Sequence, residues 1–376
     1  MNPNHQEISR REFVRDTAAQ AVGLSVASSV VAGACNIVPA GAAEVPAEIK
    51  QTRSYNSQME YRRLGKTGLW VSAVCLGGHW KRIDKVIAAD GPLDATNAPR
   101  EELMGPFMKN RYDVVSRCIE QGINMIDLAG DSEPEVYYKV LEGRRDAMYL
   151  AYSHPRSELR PPENRRADKL LELFKAGLKR CQVEYADIWR LMALERGGRH
   201  SEADVEAMIT ALDKARQQGL CRFTGFSTHD RRWAKMLMET YPDIVQVICI
   251  PYTSNTKVLP EDSMLDAALK WDVGILGIKP FASNSLFKGD GSPDGPHVED
   301  DNRIARMALR YILENPAITA PIPGLISLAQ VDNAARAVRE RRELDTAERA
   351  ELKQASERAW ACLPGNYQWL KDWEYV

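Results

Sequence analysis

No Cys-x-x-Cys pair occurs among the seven cysteines, which stand at positions 35, 75, 118, 181, 221, 249 and 362. That spacing writes neither a zinc ribbon nor an iron–sulfur cluster. Most of these thiols sit in apolar contexts, where cysteine is a small core residue. An excess of charge is also lacking: 50 Lys and Arg face 52 Asp and Glu, for a formal net charge of -2. This gives no basis for nucleic-acid or anionic-membrane partners. The apolar stretch 18–34 is rich in Ala, Gly, Ser and Val and too short for a convincing membrane span, so an integral membrane protein is not expected. Histidine is scarce, with six in 376 residues, so where each one falls is informative.

What is present is an ordinary globular mixture, 44% hydrophobic and 27% charged. The run Ser9-Arg10-Arg11-Glu12-Phe13-Val14 looks like a twin-arginine export signal. Residues 1–42 are read as the signal peptide, cleaved after Ala40-Gly41-Ala42. Lipidation at Cys35 is the weaker alternative, because Ala32 stands where a larger aliphatic is usual. Residues 43–58 read as a disordered linker. The expected location is periplasmic or otherwise exported, with the twin-arginine machinery as a partner.

From residue 59 the pattern becomes regular. Residues 60–71 read as a hairpin whose turn carries Gly65 and Gly68. Eight apolar strands are expected at 71–76, 124–127, 148–152, 188–192, 222–226, 245–250, 274–278 and 317–322. Amphipathic helices separate them: Ser201 caps one, with Val205, Met208, Ile209 and Leu212 on a single face, and Leu170, Leu171, Phe174 and Leu178 mark another. Parallel strands need crossovers and cover on both faces, so eight such units imply an α/β protein, a (β/α)8 TIM barrel with an N-terminal β-hairpin. The barrel is assigned to 59–345. Residues 346–376 form a C-terminal helix and an aromatic tail with Trp360, Tyr367, Trp369, Trp373 and Tyr375, a candidate lid over the barrel mouth.

Several segments resemble one family in order and spacing. They are Tyr61-Arg62-Arg63-Leu64-Gly65-Lys66-Thr67-Gly68-Leu69, Gly122-Ile123-Asn124-Met125-Ile126-Asp127, Gly225-Phe226-Ser227-Thr228-His229, Gly277-Ile278-Lys279-Pro280-Phe281-Ala282 and Ala320-Pro321-Ile322-Pro323-Gly324. Together they resemble the aldo-keto reductases across about residues 61–337. The resemblance implies hydride transfer between a nicotinamide cofactor and a carbonyl, with an aspartate, a tyrosine, a lysine and a histidine as the acid–base tetrad. Asp127 matches the aspartate. The tyrosine position falls at Ser132 or is lost in a shortened loop, the lysine at Ser153 and the histidine at Met192. The resemblance also implies NAD(P) binding at Ser227, Gln246, Lys279, Gly324 and Ser327. Leu325-Ile326-Ser327 offers no charge for a 2′-phosphate, and Arg336 or Arg339 would have to reach it from the next helix.

The strand ends bring other chemistry to the mouth. His79 follows the first, Asp127 ends the second, His154 follows the third, Glu195 comes after the fourth, His229 follows the fifth, Tyr252 the sixth, and Lys279 ends the seventh. Asp127, His154, His79 and Tyr152 are the candidate catalytic set. His79, His154, His229 and Asp127 are also candidates for a divalent metal, if their ring nitrogens converge. Three readings follow. The first is an exported oxidoreductase on a carbonyl or sugar-derived substrate, with tightly bound NAD(P) and a non-standard acid–base set. The second is a non-redox lyase, isomerase or hydrolase on carbohydrate. The third is a binding protein without catalysis on the same scaffold.

Overall fold

The structure, a computed structural model, describes residues 37–38, 45–87 and 105–373. The twin-arginine motif, the cleavage site, Cys35 and much of the long loop after the first barrel strand lie outside the described residues, as does Tyr375 and the side chain of Trp373. Among the described residues no helix is long and apolar enough to cross a membrane.

A hairpin comes first. β1 (Ile37–Val38), β2 (Tyr61–Arg63) and β3 (Trp70–Ser72) form a three-stranded antiparallel sheet. The Leu64 amide donates to the Leu69 carbonyl at 2.8 Å, and Gly65 and Gly68 take the positive φ of 50° and 70° that the turn requires. The turn caps the bottom of the barrel: Lys66 N–H donates to the Asp272 carbonyl at 2.6 Å, and Leu64, Leu69 and Val71 join the barrel's interior cluster.

Eight parallel strands follow, each neighbouring the next: β4 (Leu76–Gly77), β5 (Met125–Asp127), β6 (Tyr149–Tyr152), β7 (Ala186–Met192), β8 (Cys221–Ser227), β9 (Val247–Pro251), β10 (Gly274–Ile278) and β11 (Ala320–Ile322). The Cys75 and Gly77 amides donate to the Pro321 and Pro323 carbonyls at 3.0 and 2.8 Å, joining the first strand to the last. The architecture is a (β/α)8 TIM barrel. The first strand differs from the continuous run 71–76 read in the sequence. Ser72 donates its hydroxyl to the Val74 carbonyl at 2.6 Å, and this local bond bends the chain, so that Val71 belongs to the hairpin and Leu76 to the barrel.

Alternation sets the faces. Ala151, Ile188, Cys249 and Leu276 fill the barrel, while Tyr152 and Trp189 turn outward onto Phe174 of the helix Ala167–Arg180. Phe174 stacks on Trp189 at 4.1 Å between ring centres. Fully burying a side chain of this size contributes about 1.5–3 kcal/mol. The helix Glu202–Gln217 begins at Ser201 with a complete capping box to Asp204, as its sequence indicates, and buries Val205, Met208 and Leu212.

The expected disordered linker is corrected. Residues 45–58 pack on the barrel through the short helix Ala47–Lys50, whose Ile49 is buried. Arg53 Nη1 reaches Asp187 Oδ2 at 2.9 Å, and Asn56 Nδ2 donates to the Glu120 carbonyl at 2.9 Å. Polar composition suggested solvent exposure, but these partners lie far away in sequence.

Candidate functional site

A cavity of about 300 Å³ opens at the carboxyl ends of the strands, the end where barrels of this kind carry their chemistry. Asp127 is in its wall, ends β5 and is 2% exposed. Arg190, fully buried on β7, two strands from β5, donates from Nε to Asp127 Oδ1 at 2.9 Å and from Nη2 to the Leu128 carbonyl at 2.9 Å. Burial pushes the Asp127 carboxyl above the ordinary carboxylate range, and the Arg190 guanidinium only partly offsets it. Arg190 Nη1 has no hydrogen-bond partner. The Ser153 hydroxyl, at the position that resemblance assigns to a lysine, is buried and without a partner. The cation beside Asp127 therefore comes from a different strand.

His79 lines the cavity and its Nδ1 is bonded to Glu133, a fully buried carboxylate that opens the helix Glu133–Val140. Glu133 also accepts from the Ala129 amide at 2.6 Å, which aims it inward. Its charge raises the His79 pKa above the ordinary imidazole value. Only glycine fits at 78: a Cβ there would meet Glu133 Oε2 at 2.2 Å and the Asp127 carbonyl at 2.8 Å.

The remaining predicted residues are divided. Ser227, His229, Lys279 and Gly324 line the same cavity, together with Lys81, Arg160, Met192, Glu195 and Tyr367. Burial lowers the Lys279 pKa, and its φ is 60°. Ala282, Ser283 and Asn284 in the same loop also have positive φ, an unusual concentration for residues other than glycine. His229 stacks on Trp369 with ring centres 4.0 Å apart, and burial beside Lys279 and Arg160 keeps its pKa low. Trp369 belongs to the C-terminal segment Gly365–Trp373, which is anchored by Leu363 and Leu370 against Ala282 and carries Tyr367 to the cavity.

His154, Tyr152 and Gln246 are corrections. His154 does not line the cavity; its Nδ1 lies 3.3 Å from Asp131 and its amide donates to Glu158. Tyr152 is on the outward face of β6, with its hydroxyl against Gly177 and its pKa raised by burial. Gln246 stands ahead of β9, where its side-chain oxygen accepts from the Thr224 amide at 3.1 Å. Tyr252 also turns away, its hydroxyl accepting from Asn315 at 3.0 Å. The three strand-end histidines do not converge on Asp127, since each has a different neighbour: Glu133, Asp131 and Trp369. Among the described residues no group of three His, Cys, Asp or Glu side chains is placed to hold a metal ion. Sequence reasoning missed Arg190 and Glu133. The available signal was a lone arginine in the apolar run Ile188-Trp189-Arg190-Leu191, because unpaired charge is rarely buried.

A second cavity of about 550 Å³ adjoins the first, sharing Lys81, Phe281, Asn284 and Gly324 with it. Leu325, Ile326, Ser327 and Gln330 line it, at the start of the helix Leu328–Arg339 that Ser327 caps. Helix N-termini attract phosphate, and Arg82 and Lys288 add positive charge at the wall. Asp290, Glu299 and Asp301 line the same cavity, so the feature that favours an anion is the Ser327-capped helix start beside Arg82 and Lys288, where the phosphates of a dinucleotide would fit. Arg336 and Arg339 pair instead with Glu340 and Gln121 and do not line this cavity.

Comparison with known proteins bears on the family and the fold. The model of the Aldo/keto reductase family matches residues 107–357. L-galactose dehydrogenase of Arabidopsis thaliana is 23% identical over 313 residues, 76% of this chain and 89% of its own. An uncharacterized oxidoreductase of Schizosaccharomyces pombe is 23% identical over 238 residues, 59% of this chain and 72% of its own. Among solved structures, an aldo-keto reductase from Bacillus halodurans in its holo form superposes with a TM-score of 0.56 at 19% identity, covering 79% of this chain and 96% of that one.

Proposed function

The chain belongs to the aldo/keto reductase family, and we propose that it is an exported oxidoreductase acting on a carbonyl or sugar-derived substrate, with a nicotinamide dinucleotide held tightly. The observation that carries this reading is the continuity of the two cavities. The smaller gathers Asp127, Arg190, His79 and Lys279 at the strand ends, and the larger leads to a capped helix start. Ser227, Lys279 and Gly324 would hold the nicotinamide end, and Ser327 with the following helix would hold the phosphates. When bound, the nicotinamide supplies or accepts the hydride.

The chain's own residues orient and polarise the substrate. Glu133 favours the protonated form of His79, the form in which both ring nitrogens can donate a hydrogen bond, one of them to the substrate oxygen. Arg190 and Lys279 favour electron density at that oxygen, and Asp127 fixes the guanidinium. Cations in the wall, His79, Lys81, Arg160, Arg190 and Lys279, outnumber the carboxylates Asp127 and Glu195, which suits an oxygen-rich or acidic substrate. The twin-arginine-like run at residues 9–14 supports export of a folded, loaded protein, and tight retention would suit a compartment without free dinucleotide.

The test is to purify the exported protein, denature it and identify released nucleotide by mass spectrometry. Stoichiometric NAD(H) or NADP(H) is expected. Absence of nucleotide, with no binding on titration of NADH or NADPH into the native protein, would overturn the reading.

A further inference from the structure

We propose that Tyr367, delivered by the C-terminal segment, is the group that exchanges a proton with the substrate oxygen. This rests on the oxidoreductase reading above.

Tyr367 is the only tyrosine lining the strand-end cavity among the described residues. Its hydroxyl accepts a hydrogen bond from Lys81 Nζ at 3.0 Å. Lys279 Nζ lies 5.8 Å from its ring centre and 5.6 Å from that of Trp369. The two lysines come from different loops, after β4 and at the end of β10, and both approach this ring. Their own surroundings are mixed: Lys279 faces Glu195 and Asp127 from other strands as well as Lys81, and His79 faces both lysines. An ordinary phenol, with a pKa near 10, is a weak acid at neutral pH and a poor base because it is seldom ionised. Burial of Tyr367 would raise that value further, but Lys279, Lys81 and Ser283 outweigh it and bring the phenol down to about 8. A phenol with nearby ammonium groups is better matched to proton transfer near neutral pH, and here it is brought by the tail rather than by the loop after β5.

The step balances. In the reducing direction Tyr367 gives its hydroxyl proton to the carbonyl oxygen as the carbonyl carbon gains a hydride from the reduced nicotinamide. The C–O π pair becomes the bonding pair of the new O–H, and tyrosinate remains, stabilised by Lys81 and Lys279 until solvent reprotonates it. Oxidation of the alcohol runs the same path backwards. The segment carrying Tyr367 also stacks Trp369 on His229, so seating the tail and completing the site are one event.

The test uses the full chain with its nucleotide. Ultraviolet titration of tyrosinate should show one phenol ionising at about 8, absent in Y367F and moved upward in K81M. Y367F should keep the wild-type nucleotide content and KM, lose about 100-fold in kcat, and lose the pH limb that K81M displaces. Coincident titration curves for wild type and Y367F, or equal kcat for the two, would overturn the proposal. A protein that releases no nicotinamide would instead sink the oxidoreductase reading, whatever the phenol titration shows.

Discussion

Asp187 is the second residue of β7, at the N-terminal end of the barrel, and Asp127 closes β5 at the other end. Both are buried carboxylates. Asp187 receives Arg53 at 2.9 Å, Arg145 at 2.7 Å, Arg222 at 3.1 Å and the Leu150 amide at 3.0 Å. Burial works against its charge, but Arg145 and Arg53 outweigh it, and the pKa falls below the ordinary value. Asp127 has one guanidinium, and there burial wins. The first carboxylate is fully compensated and ties segments together. The second is left under-compensated beside a cavity, where groups with displaced pKa values tend to do chemistry. The division follows the general asymmetry of these barrels, with stability at the bottom and reactivity at the top.

The largest effect should come from D187N. It leaves three arginines facing a neutral amide, and breaking buried ion pairs costs about 3–5 kcal/mol. Urea unfolding would measure this. Because the folded-state pKa of Asp187 is lowered, its stabilisation is present above about 3.9, the unfolded value, and is lost as pH falls through the folded value. The D187N penalty should therefore shrink in acid. Asp127 has the opposite sign. Its raised pKa means that its contribution is most favourable below about 3.9 and declines as pH rises through the folded value. D127N should then show a smaller stability loss at neutral pH than D187N, one that diminishes further as pH rises, and a fall in kcat of about 100-fold or more. Parallel pH profiles for the two variants would break the comparison.

E133Q should have the smallest effect on stability. His79 is partly exposed, so solvent screens much of its attraction to Glu133. Its folded pKa is raised, so the associated stability is fully present below about 6.5 and lost as pH rises through the folded value. E133Q should flatten that dependence and return the imidazole toward its ordinary range in an NMR titration. An unchanged His79 titration would show that Glu133 does not set its charge.

Much of the barrel was legible because its signals are local. The alternation at Ala151 and Tyr152, the helical stripe from Leu170 to Leu178 and the cap at Ser201 each follow from neighbours a few residues away. The site was legible only in part. Strand-end position correctly brought His79, Asp127, His229 and Lys279 to one cavity, but it could not tell that His154 would turn to Asp131, or that Tyr152 would face the helices. Nor did polar composition in residues 45–58 show that Arg53 is fixed on Asp187.

The sequence by itself determined the parallel barrel, its hairpin plug and its family, because hydrophobic period and turn chemistry act within one element at a time. Only the tertiary structure decided which charge meets which. Arg190 reaches Asp127 across 63 positions of chain, Glu133 reaches His79 across 54, and Lys81 meets Tyr367 across 286. Such pairs form because barrel closure, and the loops, helix and C-terminal segment packed at its mouth, bring distant parts of the chain within hydrogen-bond range, where proximity, not sequence order, shapes protonation and reactivity.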